Sequence, residues 1–361
     1  MSIIILENKK CERNNSDKEI SKKLNKEIFE DNPHLKFKKC LNIQKQLSSE
    51  IFCIDKFDFF IVGKIAYIAI PDYFYFISNS LFIFKINQYL NLEKKLSLEG
   101  HKSPIIMVKN FYDINNNQNY LITSDQIFLV IIWKVIDEKS VIIKQTIATK
   151  YNSEIYSGLI LFNPKNIFIL TSNDSNMCST EYDFNSGDFI RNIPGTKNNT
   201  TFYILNYQNF IIELCLDKIG IYNLLQEEEN NIYEFNNEDI KGKNNHGCII
   251  KDLLFVSNSN GKIIIIDLIQ KNIKKIIRTN NNLCSLIEWN SLYIIVSDIK
   301  NNRLNIIDTN QMKIINSISV TKTNPVYMKK IKLNKAIYKD DKILLILGDK
   351  MFFELGLKIS K

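Results

Sequence analysis

An all-β fold, a seven-bladed β-propeller, is what the 361-residue sequence predicts, and three observations predict it. From about residue 46 onward, apolar residues recur with period two in short runs rich in Ile, Phe, Tyr and Val, separated by Asn, Asp, Ser and Gly. Helical periodicity almost vanishes over the same span, so strands follow one another without crossover helices and must pair antiparallel. The third observation is a repeat. FYFISNSLFIFKI, LITSDQIFLVIIWKV, FILTSNDSNMCSTEYDF, FIIELCLDKIGIYNLL, LFVSNSNGKIIIIDL, YIIVSDIKNNRLNIIDT and LLILGDKMFFELGL each read as strand, polar turn, strand.

The late large residues of these units are Phe84, Trp133, Tyr182, Tyr222, Ile266, Ile307 and Phe353, at spacings of 49, 49, 40, 44, 41 and 46. A four-stranded propeller blade occupies about 40 to 45 residues, and seven of them account for about 315. The remainder is close to the length of a distinct N-terminal stretch. Glycine is scarce at 11 and proline at 6, so Asn must serve many tight turns.

Residues 1–45 form that stretch: a basic N-terminal arm, partly helical or disordered, with 11 Lys/Arg against 7 Asp/Glu. Ser16 and Glu19 have capping-box spacing, Ile20, Leu24 and Ile28 recur every fourth residue, and Asn32-Pro33 supplies a stop. The array then occupies 46–361. Within it, FFIVGKIAYIAI at 59–70 fits the scheme poorly, because Ile68 stands only 16 residues before Phe84. These residues read as strands shared between the closing and the first blade, or as a stunted eighth blade. Pairing an N-terminal strand with C-terminal ones would close the ring and remove its exposed edges.

Gly100-His101 stands 32 residues before Trp133-Lys134, and Asp183, Asp267, Asp308, Asn223 or Glu354 follows the late residue in five other modules. In this order of dipeptides the array resembles the WD40-repeat family, in a divergent and degenerate form. The resemblance implies a buried hydrogen-bonded tetrad, which carries over only to the second module, through His101, Thr123 and Trp133. Its aspartate position falls at Ile127, so the network lacks a member unless Asp125 reaches it. The structural repeat positions are thus Gly100, His101, Thr123, Trp133, Asp183, Asp267 and Asp308.

Catalytic motifs are not found. His34, His101 and His246 stand in no metal-ligand spacing, and no GxGxxG, GxxxxGK[ST] or GxSxG occurs. The seven cysteines lack a CxxC pair, which points to a reducing compartment and no structural metal. The opening MSIIILENKK has too short an apolar run for a signal peptide, and no run approaches the ~18 residues of a membrane span. A cytoplasmic or nuclear protein without membrane insertion is expected.

The remaining candidates read as structure. The acidic run Glu227-Glu228-Glu229 suits a solvated loop. KNIKKIIR at 271–278 suits an exposed outer strand, and YMKKIKLNKAIYK at 327–339 an inner strand with its loop. The aromatic run Tyr73–Phe76 and Trp289 suit packing between blades. The net charge of +8 rests on lysines in a chain also rich in Ile and Asn, so nucleic-acid binding is possible but not favoured. Family resemblance implies a non-catalytic scaffold, without cofactor, that binds proteins or peptides through its rims; the alternative is an RNA-associated propeller subunit of an RNP or RNA-processing complex. An enzyme with a site in the central channel would need a metal or polar cluster among residues far apart in sequence, such as converging carboxylates or His101 beside His246.

Overall fold

The computed structural model describes residues 35–44, 57–71, 79–88, 92–127, 129–148, 155–161, 167–172, 179–193, 201–225, 232–279, 283–319, 325–332, 336–337, 342–348 and 351–359. The chain is all-β, and no helix occurs among the described residues, so none there could cross a membrane. The helix expected at 16–32, the aromatic run at 73–76 and the acidic run at 227–229 lie outside them.

The first strand among the described residues is β1 (Leu35–Gln44). Six antiparallel four-stranded sheets then follow, each built from consecutive strands in consecutive order. The first holds β2 (Asp58–Val62), β3 (Ile65–Pro71), β4 (Leu81–Ile86) and β5 (Leu92–Leu98). The second holds β6 (Ile105–Asp113), β7 (Gln118–Asp125), β8 (Leu129–Val135) and β9 (Val141–Ala148). The third holds β10 (Ile155–Leu161), β11 (Ile167–Ser172), β12 (Ser179–Asp183) and β13 (Phe189–Asn192).

In the fourth sheet are β14 (Thr201–Tyr207), β15 (Phe210–Cys215), β16 (Ile219–Asn223) and β17 (Ile232–Phe235). The fifth comprises β18 (Asn244–Ile250), β19 (Leu253–Asn258), β20 (Lys262–Asp267) and β21 (Asn272–Arg278). The sixth comprises β22 (Leu283–Asn290), β23 (Tyr293–Asp298), β24 (Arg303–Asp308) and β25 (Lys313–Ser319). β26 (Pro325–Lys332), β27 (Lys342–Gly348) and β28 (Met351–Ile359) end the chain, and β1 joins them in the order β1-β28-β27-β26.

Each late large residue lies on the third strand of its unit, opposite an apolar residue of the second. The pairs are Ile68↔Phe84, Leu121↔Trp133, Phe168↔Tyr182, Ile211↔Tyr222, Leu254↔Ile266, Ile294↔Ile307 and Ile346↔Phe353. A β-bulge recurs beside this residue where the fourth strand pairs, at Ile83/Phe84, Ile132/Trp133, Glu181/Tyr182, Ile265/Ile266 and Ile306/Ile307. The extra residue increases local twist at the same place in these five sheets.

Cores lie between sheets rather than inside them, because alternate residues of the middle strands point to opposite faces. Leu121, Ile131 and Trp133 pack on Tyr67 and Leu81 of the first sheet. Their neighbours Ile122, Val130 and Ile132 pack on Leu170 and Tyr182 of the third. The same division recurs between the third and fourth, fourth and fifth, and fifth and sixth sheets. First strands lie side by side, β2 by β6, β6 by β10, and so on to β22 by β26, and β26 also lies against β2.

Two sequence expectations change. Residues 59–70 are not shared with a closing blade, nor an extra blade: they supply β2 and β3 of the first sheet. Ile68 and Phe84 are close in sequence because they pair with each other on adjacent strands. Residues 35–44, assigned to the arm, form β1 and pair with β28 from Leu35↔Ile359 to Gln44↔Met351. Removing residues 1–44 therefore bares the edge of β28. Such a chain is expected to melt more than ~5 °C below one lacking only residues 1–33, or to be insoluble; equal melting in a thermal scan would show that β1 contributes nothing.

Candidate functional site: a buried tetrad and an apolar rim

The repeat residues expected from sequence come together in the second sheet. His101 precedes β6, Thr123 and Asp125 end β7, and Trp133 sits on β8; all four are buried. The Trp133 indole N–H donates to Thr123 Oγ1 at 2.7 Å, and the Thr123 hydroxyl donates to His101 Nε2 at 2.6 Å. His101 Nδ1–H donates to Asp125 Oδ2 at 3.0 Å, while Asp125 Oδ1 accepts the backbone N–H groups of Ile127 and Leu129. The acceptor expected at Ile127 is thus Asp125, which reaches the imidazole from two residues earlier. The tetrad is complete through Asp125, the alternative that the sequence left open.

This chain of donors fits a neutral imidazole, with its proton on Nδ1. Burial pushes the His101 pKa below its usual value, although Asp125 pulls it the other way. Gly100 completes the arrangement, since a Cβ there would stand 3.0 Å from Ile131 Cδ1 and 3.2 Å from Trp133 Cη2. The absent side chain lets the connection pass close to Ile131 and the indole.

Asp183, Asp267 and Asp308 end their third strands and close the following turns. Asp183 Oδ1 accepts the N–H of Asn185 and Ser186, Asp267 Oδ1 those of Ile269 and Gln270, and Asp308 Oδ1 those of Asn310 and Gln311. These backbone bonds, to Ser186 and to Gln270 foremost, hold the Asp183 and Asp267 carboxyls below their usual pKa. The three aspartates are turn-builders rather than members of a common site.

Other sheets fill the tetrad positions differently. By register, Thr123 corresponds to Val256 in the fifth sheet, Val296 in the sixth and Glu213 in the fourth. Glu213 is fully buried and accepts the Ser179 hydroxyl from the third sheet. Tyr222, at the Trp133 position, has its phenol held well above its usual pKa by burial and then by the Glu213 charge. Sequence reading missed Glu213; its place two residues after the apolar partner of Tyr222 was the available signal.

First strands bring a second set of polar groups together. Lys109 Nζ donates to Ser157 Oγ at 3.3 Å and stands 4.9 Å from the Tyr203 ring centroid, a cation–π contact. The Tyr203 ring in turn lies 4.1 Å from that of His246 at a tilt of 39°, and His246 Nδ1 accepts the Leu286 N–H. His101 and His246 therefore serve separate networks on the second and fifth sheets. Among the described residues no group of three or more His, Cys, Asp and Glu could hold a metal ion.

Strand polarity sorts the turns onto two rims. Turns joining first to second and third to fourth strands share one, here called the hairpin rim. There Asn119 donates to the Ile61 carbonyl, Lys144 to Phe184, Arg191 to Leu224, Tyr207 to Asp252 and Lys275 to Gln311. Each bond joins a sheet to the next, from the first through the sixth. The hydrogen bond to Asp252 pushes the Tyr207 phenol up to about 12. Tyr112, Ile114, Ile136, Leu225, Ile269 and Leu292 stand exposed on this rim. No protein-family model matches the chain, and no curated protein matches it.

Two measurements test the tetrad. Trp133→Ala is expected to cost about 3–5 kcal/mol in denaturant unfolding, because it opens a cavity and strips a donor from buried Thr123; a loss below ~1 kcal/mol would remove the indole from the core. The His101 imidazole is held neutral, so its contribution is full above its unfolded pKa of about 6.5 and fades as pH falls below that. Wild-type stability is therefore expected to drop more steeply than that of His101→Gln as pH falls below about 6.5, and parallel curves would contradict a buried neutral imidazole.

Proposed function

We propose that the chain is a closed, seven-bladed, WD40-like propeller serving as a non-catalytic platform for proteins or peptides. Contact of β26 with both β22 and β2, and completion of the terminal sheet by β1, support closure. The tetrad of the second sheet supports the family likeness.

One observation carries the platform reading: the hairpin rim holds large apolar side chains out in water on turns that are built rigid. Ile114 is 81% exposed, and Asp113 fixes its turn by accepting the N–H groups of Asn115 and Asn116. Ile269 is 68% exposed in the turn closed by Asp267. Scattered apolar exposure is ordinary, but apolar knobs repeated along one stapled rim suit partner docking. Because the turns are already ordered, a partner would not have to supply the entropy of ordering them. The mechanism is positioning of partners.

An RNA-associated propeller would use the arm and basic loops on phosphates, yet the arm ahead of β1 is not basic. Counted up to β1, residues 1–34 hold seven Lys/Arg and seven Asp/Glu; the excess comes from Lys36, Lys38 and Lys39 of β1 and from Lys45. Affinity purification of the tagged full chain, with and without nuclease, separates the readings when repeated with the Ile114→Asp/Ile269→Asp variant. Protein partners that survive nuclease and are lost from the variant, whose melting should be nearly unchanged, are the expected result. Partners lost with nuclease and kept by the variant would give first place to RNA.

A further inference from the structure

The outer strands of a repeated array are exposed sheet edges, and most proteins block such edges with charge. The fifth sheet does so on β21, where Lys274 and Lys275 are exposed, and the first sheet exposes Glu93 and Lys95 on β5. The second sheet does not. On β9, Ile142 is 49% and Ile143 46% exposed, and the one lysine of the strand, Lys144, is turned onto the Phe184 carbonyl and ring of the third sheet.

A second apolar edge begins beside it. Phe189 and Ile190 open β13 and are exposed. Gln145 of β9 donates to the Ser186 carbonyl just before them, so the two edges are tied together. Gly187, at φ +79°, gives that turn a conformation that favours glycine. The surrounding charge has the opposite sign to the whole protein. Residues 136–144 and 183–190 carry Asp137, Glu138, Asp183 and Asp188 against Lys139 and Lys144, a local net of −2 on a chain of +8.

We propose that this edge takes up an extended, lysine- or arginine-bearing segment of a partner protein as an added strand on β9. This rests on the platform reading above and names the chemistry of one partner. The outer backbone groups of β9 supply the pairing, as in strand addition to an open sheet. Ile142 and Phe189 take apolar side chains of the segment, and Asp137, Glu138 and Asp188 face its cations. An acidic segment would meet like charge, and a helix could not use the strand edge.

The test is fluorescence anisotropy of the full chain with three labelled decapeptides. One alternates lysine and valine, one alternates glutamate and valine, and one is the lysine–valine peptide N-methylated at alternate amides. Only the first is expected to bind, at least tenfold more tightly than the others and more weakly as salt rises. Ile142→Lys, and separately Asp137→Lys/Glu138→Lys in the exposed turn, should each weaken it about tenfold while melting as the wild type does. Equal binding of the N-methylated peptide would overturn strand addition, and equal binding by both variants would overturn the location. If the wild type binds none of the three while nuclease-resistant partners are still recovered, the edge proposal falls and the platform reading stands.

Discussion

A four-stranded sheet whose middle strands are apolar on both faces has no wet side, and the rest of this structure depends on that constraint. Alternate residues of β7 make the point. Leu121 and Thr123 face the first sheet, Tyr120 and Ile122 face the third, and all are buried. No single sheet could stay in water with such faces, so each is stable only between two others, as in other repeat architectures. At 25 cal/mol per Å², burying one Leu or Ile side chain contributes roughly 1.5–3 kcal/mol, and this sum, rather than any polar contact, holds neighbours together. The chain ends are the weak point of such an array, and β1 meets it by completing the sheet of β26 to β28.

Polar groups refine what packing has already fixed. In the second sheet the tetrad satisfies an indole, a hydroxyl, an imidazole and a carboxylate at once, so burying them costs little. In the fifth and sixth sheets Val256 and Val296 stand where Thr123 does, and no polar atom needs matching there. The fourth sheet buries a carboxylate instead, and Glu213 turns to a hydroxyl of the neighbouring sheet. One geometric position thus accepts three chemistries, because the packing of second on third strands is independent of it. Degenerate repeat dipeptides follow from this independence.

Much of the fold was legible because its strongest signal is steric. A large residue opposite an apolar second strand must recur wherever two sheets meet, and all seven recurrences lie on third strands. The segment 59–70 misled because its Ile68 belongs to a second strand, a distinction that spacing between late residues does not carry. β1 was hidden by lysines, although Leu35, Phe37, Leu41 and Ile43 keep the period of two around Lys39, where the register shifts. Asp125 was displaced by two residues from its expected place because a carboxylate can reach a buried imidazole from either side of a tight turn. Of the Glu213 node, only the position two residues after the apolar partner of Tyr222 was available on one strand; its bond to Ser179, 34 residues away on another sheet, was not.

Function is less legible for a related reason. Packing dictates the faces of the middle strands, so those residues report the fold and little else. Turns and outer edges are free of that demand, and differences among them are informative. The fold makes the outer strands of successive sheets alike, yet β21 shows lysines to solvent while β9 shows isoleucines. Neither choice is required by the cores, which end at the third strand and the inner half of the fourth. An unblocked apolar edge also carries a standing hazard of aggregation, and its retention beside a locally acidic turn on a basic protein is most simply accounted for by something that covers it.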